Sequence, residues 1–168
     1  MTHWYDHAII YQIYPKSFQD SNNDGIGDLN GIRKRIPYLQ KLGINTVWLN
    51  PVFVSPQVDN GYDVSNYFAI DPHMGTMEDM DSLIKTFHKA GMHVVMDFVL
   101  NHTSDQHPWF QDAIKDPHSI YRDYYIFAGK IINVRIIGAA SLAAVFGNQT
   151  LLEQASHIFT CLINGCPI

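Results

Sequence analysis

Apolar and polar positions follow two different periods in the first hundred residues of the chain. Short apolar runs at 9–14, 46–49 and 93–99 are flanked by Pro, Asn or Gly, which is typical of strands. Residues 29–42 and 77–90 instead carry apolar side chains every three or four positions, which predicts amphipathic helices. The order strand, helix, strand, helix, strand is that of βαβ units in a parallel sheet. The pattern therefore predicts an α/β fold.

Both predicted helices have recognisable start and stop signals. Asp28 and Thr76 stand where an N-cap side chain would accept hydrogen bonds from the first free backbone N–H groups. Gly43 and Gly91 stand where helices commonly end in a left-handed residue. The segment from Ser55 to Met74 is polar and contains turn residues, so we expect a long loop there, and loops of that length are often functional.

The third predicted strand, His93–Val99, carries polar groups to its end. Its apolar run includes Asp97 and is followed by Asn101 and His102. Such a run predicts a parallel strand covered on both faces. In an α/β barrel, chemistry takes place at the carboxyl ends of the strands. An isolated buried Asp or His is more often a satisfied core residue, so the strand alone makes these residues candidates only.

A second candidate site lies in residues 20–28, where oxygen ligands recur at almost every second position. They are the side chains of Asp20, Asn22, Asp24 and Asp28 and the backbone carbonyl of Ile26. This spacing is typical of a calcium loop, although no bidentate Glu closes it and a strand precedes it, unlike in an EF-hand. The alternative is an Asx-rich turn without a metal ion.

Composition excludes several classes of function. The net charge of −5, with no basic cluster, argues against a nucleic-acid partner. We expect no membrane partner and a cytoplasmic location, because nothing at Met1–Trp4 resembles a signal peptide and no apolar run could span a bilayer. Two cysteines, Cys161 and Cys166, imply no disulfide framework.

The hexapeptide at 97–102, Asp-Phe-Val-Leu-Asn-His, resembles the first signature region of the α-amylase superfamily, glycoside hydrolase family thirteen. Residues 20–31, 55–63, 103–110 and 121–126 also resemble members of this family. They are similar to the group of oligo-1,6-glucosidases, α-glucosidases and trehalose-6-phosphate hydrolases.

The resemblance implies a domain organisation for the chain. Residues 1–101 would be the N-terminal part of a TIM (β/α)8 barrel, comprising its first three β/α units. Residues 102–130 would begin an irregular domain inserted into that barrel. A whole barrel takes about 250 residues, so the 168 residues could supply only part of one.

The resemblance also implies roles for individual residues. Asp59 would accept hydrogen bonds from glucose hydroxyls, and Tyr62 would stack under the sugar ring. His102 would donate to a hydroxyl beside the scissile carbon. Asp97 would hold the active-site network together, and Asn101 would support the strand-to-loop junction.

Two further expectations follow from the same resemblance. The loop at 20–31 would bind a divalent ion with a structural role, calcium or alternatively magnesium, through Asp20, Asn22, Asp24, Ile26 and Asp28. Asp63, which closes the segment at 55–63, would be structural.

The catalytic carboxylates of the family fall outside the sequence. Retaining glycosidases use a nucleophile and an acid/base about 5 Å apart. In this family they follow the fourth and fifth barrel strands, and a third carboxylate follows the seventh. The resemblance thus implies a parent retaining α-glucosidase that cleaves terminal α-glucosidic bonds of short oligosaccharides, of the oligo-1,6-glucosidase type. A trehalose-6-phosphate hydrolase is the alternative parent.

The chain as given is expected to be inactive. An alternative from another class of function is that the chain is a non-enzymatic fragment with at most weak metal or sugar binding. A third is a short carbohydrate-binding module, for which the tail offers few aromatic residues. The open sheet edge of a partial barrel and an apolar tail also make the chain an aggregation hazard.

The tail at 131–168 differs in kind from the rest, since Arg135 and Glu153 are its only charged residues. Relatives have an Asn-Asn-Trp…Phe-Gly-Gly-Ser…Trp-Glu stretch at this point. The gene can also be read in a shifted frame, in which each codon consists of the third base of one codon and the first two bases of the next. From Arg135 onward, the genetic code permits this frame to encode Asn-Asn-Trp-Arg-Ser-Ile-Phe-Gly-Gly-Ser-Val-Trp-Glu-Pro-Asp. From His157 it permits Tyr-Phe-His-Leu-Phe-Asp-Lys-Arg-Met-Pro-Asp. We predict that the tail is out-of-frame translation ending at a chance stop.

Overall fold

The computed structural model describes residues 2–127 and the backbone of residues 142–144. Apart from those three residues, the tail at 131–168 that we predict to be out of frame lies outside the described residues. The chain forms two compact units. The first comprises Met1–Val52 and Ala69–Phe98, and the second comprises Phe53–Phe68 and Val99–Ile168.

The elements alternate along the chain much as the apolar pattern predicts. The strands are β1 (Ile10–Ile13), β2 (Thr46–Leu49), β3 (Phe53–Val54), β4 (Asn66–Ile70), β5 (His93–Met96), β6 (His102–Ser104) and β7 (Leu142–Ala144). The α-helices are α1 (Pro15–Phe18), α2 (Leu29–Lys41), α3 (Met77–Lys89) and α4 (Pro108–Lys115). Short 3-10 helices cover Trp4–His7 and Ile120–Tyr124. In residues 2–127, no helix has the length and apolar character needed to cross a membrane.

The first unit is built on a parallel sheet with the strand order β1-β2-β5. The register places Ile13 beside Leu49 and Leu49 beside Met96. The parallel order that the sequence predicts is thereby confirmed, but the predicted extension of the third strand to Val99 is wrong. The ladder ends with the bond from the Asp97 N–H to the Leu49 carbonyl (2.8 Å) because β2 itself stops there, before Asn50.

One face of this sheet carries the core. Ile13, Val47 and Leu49 are at most 1% exposed and pack in a cluster with apolar residues of α2 and α3. On the other face Trp48 is 38% exposed and Val95 is 37% exposed. The expectation of a strand covered on both faces is therefore wrong for the described part of the chain, because both helices lie in the cluster on one face.

The predicted helix starts are confirmed. The Asp28 carboxylate accepts a hydrogen bond of 2.6 Å from the Gly31 N–H at the start of α2. The Thr76 hydroxyl accepts from the Asp79 N–H (3.1 Å), and the Asp79 carboxylate accepts from the Thr76 N–H (3.0 Å). This reciprocal pair is a capping box, which satisfies two backbone donors that would otherwise lack helical partners.

The predicted helix stops are confirmed as well. Gly43 has a φ of 82° and Gly91 a φ of 73°, both in the left-handed region that favours glycine. Leu42, which the helical period included in the apolar face of α2, is 51% exposed. It is the C-cap residue rather than a helical one, so it has turned away from the core.

The described part of the second unit is tied together by a tyrosine. The Tyr67 hydroxyl donates to the carbonyls of Val99 (2.7 Å) and His102 (2.9 Å). The Ser104 N–H donates to the Val64 carbonyl (2.9 Å), and β6 pairs with the antiparallel β7. Strand β4 lies inside the stretch Ser55–Met74 that we expected to be a loop, so that expectation is wrong for residues 66–70.

Candidate functional site

The loop at 55–63 is organised around one buried carboxylate. Asp63 is 1% exposed. Its Oδ1 atom accepts from the Ser55 hydroxyl (2.7 Å) and the Asp59 N–H (3.1 Å), and its Oδ2 accepts from the Val58 N–H (3.0 Å). The expectation that Asp63 is structural agrees with these contacts, which bind both ends of the loop to one side chain.

The loop reverses direction through three left-handed residues, Gln57 (φ 61°), Asn60 (φ 55°) and Gly61 (φ 98°). Asparagine adopts this region more readily than most residues, so the unfavourable conformation is that of Gln57. A hydrogen bond of 3.0 Å from the Tyr62 N–H to the Asp59 carbonyl closes it. The turn leaves the side chains of Asp59 and Tyr62 half-buried, so both keep a surface that a ligand could meet.

His102 contacts this loop within the same unit. Its Nε2 atom lies 3.2 Å from the carbonyl oxygen of Tyr62, and its Nδ1 atom lies 3.2 Å from the amide nitrogen of Asn101. An amide nitrogen donates, so Nδ1 accepts and the imidazole proton sits on Nε2, where it points at the Tyr62 carbonyl. The structure thus brings together three of the predicted residues, Tyr62, Asn101 and His102, while their roles toward a sugar stay predictions.

Asp97 lies in the first unit, at the end of β5, and is half-buried. Sequence reasoning missed its polar neighbours. The Gln12 amide donates to the Asn50 side-chain oxygen (2.9 Å), and Asn50 and Asp97 follow the paired residues Leu49 and Met96. The sequence did contain a signal for this group. Each of three apolar strands has a polar residue inside it or directly after it, and strands that run parallel bring such residues to the same edge of the sheet.

The candidate metal loop is held by its own hydrogen bonds. Asp20 accepts from the N–H groups of Asn22 (3.0 Å), Asn23 (2.7 Å) and Gly25 (2.8 Å). These bonds, with that from Gly25 the strongest influence, lower the pKa of the Asp20 carboxyl below its ordinary value. Asp20 is therefore an anion at neutral pH.

Similar bonds continue along the loop. Asn22 Oδ1 accepts from the Asp24 N–H (3.1 Å), Asp24 Oδ1 from the Ile26 N–H (2.8 Å) and Asp28 Oδ2 from the Ser21 N–H (2.8 Å). The bonds of Asn22 and Asp24, each to an N–H two positions on, are those of an Asx-rich turn, which is the alternative that the sequence left open.

The donor chemistry of this loop suits a hard cation, since all five expected ligands are oxygen atoms. Across residues 2–127, no three His, Cys, Asp or Glu side chains are grouped so that they could hold a metal ion. The three carboxylates of the expected set, Asp20, Asp24 and Asp28, are therefore not grouped in this way, and its other members are the amide of Asn22 and the carbonyl of Ile26. Calcium at this loop stays a prediction.

His107 is a buried group whose role as a helix cap the sequence analysis did not predict. It is 4% exposed, and its Nδ1 atom accepts from the Trp109 N–H (3.2 Å) as the N-cap of α4. Burial lowers the pKa of His107 to about 4, so the ring is neutral at pH 7. A neutral ring that accepts a backbone bond stabilises the helix start. The available signal for this cap was the position of His107 directly before Pro108, because proline is common at the first position of a helix.

A comparison with protein families matches the chain to one of them. The model of the α-amylase catalytic domain matches residues 12–159. The matched range contains every residue predicted here to bind sugar or metal.

Individual relatives are about half identical to the chain over the residues that align. The oligo-1,6-glucosidase of Heyndrickxia coagulans is 52% identical over 127 residues, which is 76% of this chain and 23% of the relative. The trehalose-6-phosphate hydrolase of Escherichia coli is 51% identical over 127 residues, again 76% of this chain and 23% of the relative. The chain thus spans about a quarter of the length of these relatives.

A solved structure agrees with these matches. A family GH13_31 enzyme is 62% identical and superimposes with a TM-score of 0.82, covering 95% of this chain and 35% of that enzyme. Together with the parallel β1-β2-β5 sheet, this identifies the first unit as the N-terminal portion of a TIM barrel.

Proposed function

Because the chain belongs to the α-amylase family, we propose that it is the N-terminal, sugar-binding part of a retaining α-glucosidase. The substrates are short oligosaccharides with a terminal α-linked glucose, as for enzymes of the oligo-1,6-glucosidase type. The observation that supports this most is the contact between His102 Nε2 and the Tyr62 carbonyl (3.2 Å). It joins the two segments in which the family resemblance locates sugar contacts.

The chemistry of these side chains suits a glucose ring. A carboxylate such as Asp59 accepts hydrogen bonds from two neighbouring hydroxyls, and charge-assisted bonds of this kind are stronger than neutral ones. The flat face of Tyr62 covers the apolar C–H face of a pyranose. His102 has its proton on Nε2, so this atom is a donor that a sugar hydroxyl could accept from in place of the Tyr62 carbonyl.

The chain itself binds sugar and does not hydrolyse it, in this proposal. Glycosidic cleavage with retention needs a nucleophile and an acid/base about 5 Å apart. In the family these carboxylates follow the fourth and fifth barrel strands, which the 168 residues do not include. Hydrolysis therefore belongs to the longer protein.

The second unit has few cations that could bind a phosphate, and this favours a neutral glucoside over trehalose 6-phosphate as the substrate. In its described residues, 53–68 and 99–127, these are Lys115 and Arg122. The Arg122 guanidinium is already engaged, since it donates to the Ala113 carbonyl (2.6 Å) and lies 3.9 Å over the Phe127 ring. Lys115 is an exposed residue of α4 and the only other cation of these residues. Phosphate recognition commonly uses a cluster of basic groups, which this part of the chain lacks.

We propose in addition that the loop at 20–28 binds an ion with a structural role. Asp20, Asn22, Asp24 and Asp28, with the Ile26 carbonyl, would hold calcium, whose charge would offset the negative charge of the three carboxylates. Magnesium is the alternative ion.

Two assays on the purified chain test the proposal. Calorimetric titration with isomaltose should show saturable binding, and p-nitrophenyl α-glucoside should release no p-nitrophenol above the buffer rate. Asp59→Asn should weaken the binding at least tenfold without changing the fold. Tighter binding of trehalose 6-phosphate than of isomaltose would favour the alternative substrate. Hydrolysis above the buffer rate, or the absence of binding to both sugars, would contradict the proposal.

A further inference from the structure

The side chain of Asp63 has more contacts than its position at the end of a turn requires. A buried carboxyl group has lost its contact with water, so its oxygen atoms need hydrogen-bond donors from the protein. Asp63 has three such bonds, and all three come from residues of the preceding loop: Ser55, Val58 and Asp59. The carboxylate therefore interacts with the loop itself rather than with a distant part of the second unit.

One of these bonds holds the backbone of Asp59, whose side chain is predicted to bind the sugar. The Asp59 N–H donates to Asp63 Oδ1 (3.1 Å), and the carbonyl of the same residue accepts from the Tyr62 N–H (3.0 Å). The Tyr62 carbonyl in turn lies 3.2 Å from His102 Nε2. A chain of hydrogen bonds thus runs from the Asp63 carboxylate through Asp59 and Tyr62 to His102.

The backbone of this loop would not keep its shape without such bonds. Gln57 and Asn60 both hold left-handed conformations, which asparagine tolerates comparatively well but which are unfavourable for Gln57. They flank Val58 and Asp59, the two residues whose N–H groups Asp63 binds. The bonds to the carboxylate therefore offset the strain in the part of the loop that places the Asp59 side chain.

We propose that Asp63 is a positioning residue for sugar binding, whose carboxylate fixes the backbone from which Asp59 and Tyr62 meet the sugar. This inference rests on the proposed function. Its structural half, the control of the loop by Asp63, can be measured on the free chain without any sugar.

The test combines amide exchange by NMR with isomaltose binding. Asp63→Asn keeps the size of the side chain but replaces one of its two acceptor oxygens with an NH2 group, so that either the Val58 N–H or the Asp59 N–H loses its acceptor. We expect amide protection at one of these two residues to fall at least tenfold and isomaltose binding to weaken at least tenfold. Asp59→Asn should weaken binding and leave both amides protected, because it keeps the backbone bond to Asp63.

A matched control separates positioning from general loss of stability. Asp71 is also buried, at 2% exposed, and lies in the first unit. Asp71→Asn should change neither the two amides nor sugar binding. If Asp63→Asn fails to fold, Ser55→Ala replaces it. This variant removes the bond to Asp63 and also the bond that the Ser55 hydroxyl accepts from the Gln57 N–H (2.9 Å), and it should lower protection of the same amides at least threefold.

The outcomes for the two proposals differ. Unchanged protection of Val58 and Asp59 in a folded Asp63→Asn chain, or in Ser55→Ala where that variant replaces it, would overturn the positioning role. A uniform loss of protection over the whole second unit would overturn it as well, because that result describes general destabilisation. Absence of isomaltose binding in the unsubstituted chain would contradict the proposed function, and the amide measurement would still decide how the loop is held.

Discussion

The imidazole of His102 lies against the backbone of Tyr62, with 3.2 Å between Nε2 and the Tyr62 carbonyl oxygen. These residues are forty positions apart, and a different family motif contains each of them. Because the Asn101 amide donates to Nδ1, the Nε2 proton is directed at the loop. The contact therefore both joins the two motifs and sets which nitrogen of His102 is a donor.

The first prediction concerns this donor. His102→Ala removes the Nε2–H group and should weaken isomaltose binding about tenfold, the value of one good hydrogen bond to a buried partner. His118→Ala, at an exposed histidine of the same unit, is the matched control and should bind as the unsubstituted chain does. Calorimetric titration of both variants measures the difference, and equal affinities would show that His102 does not contact the sugar.

A second prediction concerns pH. The pKa of His107 is lowered by burial from 6.5 to about 4 in the folded chain. Between those pH values the unfolded chain binds more protons than the folded chain, so the free energy of unfolding increases with pH. This contribution is fully present above pH 6.5 and is lost as the pH falls to about 4. At about 1.4 kcal/mol for each pH unit, the loss amounts to roughly 3 kcal/mol.

The comparison with His107→Asn isolates that effect from the titration of the carboxylates. Asparagine is a good N-cap and does not titrate, so it keeps the start of α4 without the pH dependence. Urea unfolding at several pH values, followed by the NMR signals of α4, should give a flatter profile for the variant between pH 6.5 and 4. Parallel profiles would show that His107 is not the group responsible.

A third prediction tests the close approach of α2 to the segment before it. A Cβ atom at Gly31 would lie 1.9 Å from the carbonyl oxygen of Gln19, which is a backbone atom and cannot swing away. Gly31→Ala should therefore lower the free energy of unfolding by about 1–3 kcal/mol, the usual cost of overpacking. Lys41→Ala, at an exposed position of the same helix, should change it little. Similar urea midpoints for the two variants would contradict the prediction.

The sequence predicted the first unit well because its signals are local. Asp28 and Thr76 cap helices through contacts with residues three positions away, and Gly43 and Gly91 end them. Strand β4 was missed because its alternating residues lie within a stretch that is rich in turn formers. The end of β5 was also missed, since a strand stops where its neighbour stops and a single run of residues contains no information on its neighbour.

The candidate site was predictable to a different extent. Family motifs pointed to Tyr62 and His102, and the structure brings them together. The organising contacts of Asp63 were not predictable, because two of its three partners are backbone N–H groups, which every residue except proline offers. The cap at His107 was missed for the same reason, since it also acts on a backbone N–H.

A fourth prediction concerns calcium. If Asp24 is a ligand, thermal unfolding in millimolar CaCl2 should occur several degrees higher than in EDTA, because an ion that binds only the folded chain stabilises it. Asp24→Ala should abolish the difference, while Asp81→Ala on α3 should retain it. MgCl2 in place of CaCl2 identifies the preferred ion. Equal melting temperatures in calcium, magnesium and EDTA would favour the metal-free Asx turn.

A fifth prediction concerns the tail at 131–168. The gene should contain a slip of one or two bases near the codon for Lys130, with family-like sequence continuing in the other frame. Sequencing the DNA from the codon for Ile126 to beyond that for Ile168 decides this directly. An intact frame with no family-like sequence in the other frame would mean that the tail is genuine.

The most direct test of the central claim is an NMR titration of the 15N-labelled chain with isomaltose. Sugar binding by the loop at 55–63 together with His102 predicts saturable shifts at the amides of Asp59, Tyr62 and His102. The amides of α3 in the first unit should remain unchanged at the same sugar concentration. Absence of shifts at these three amides, or equal shifts across both units, would contradict the assignment of this loop as the sugar-binding site.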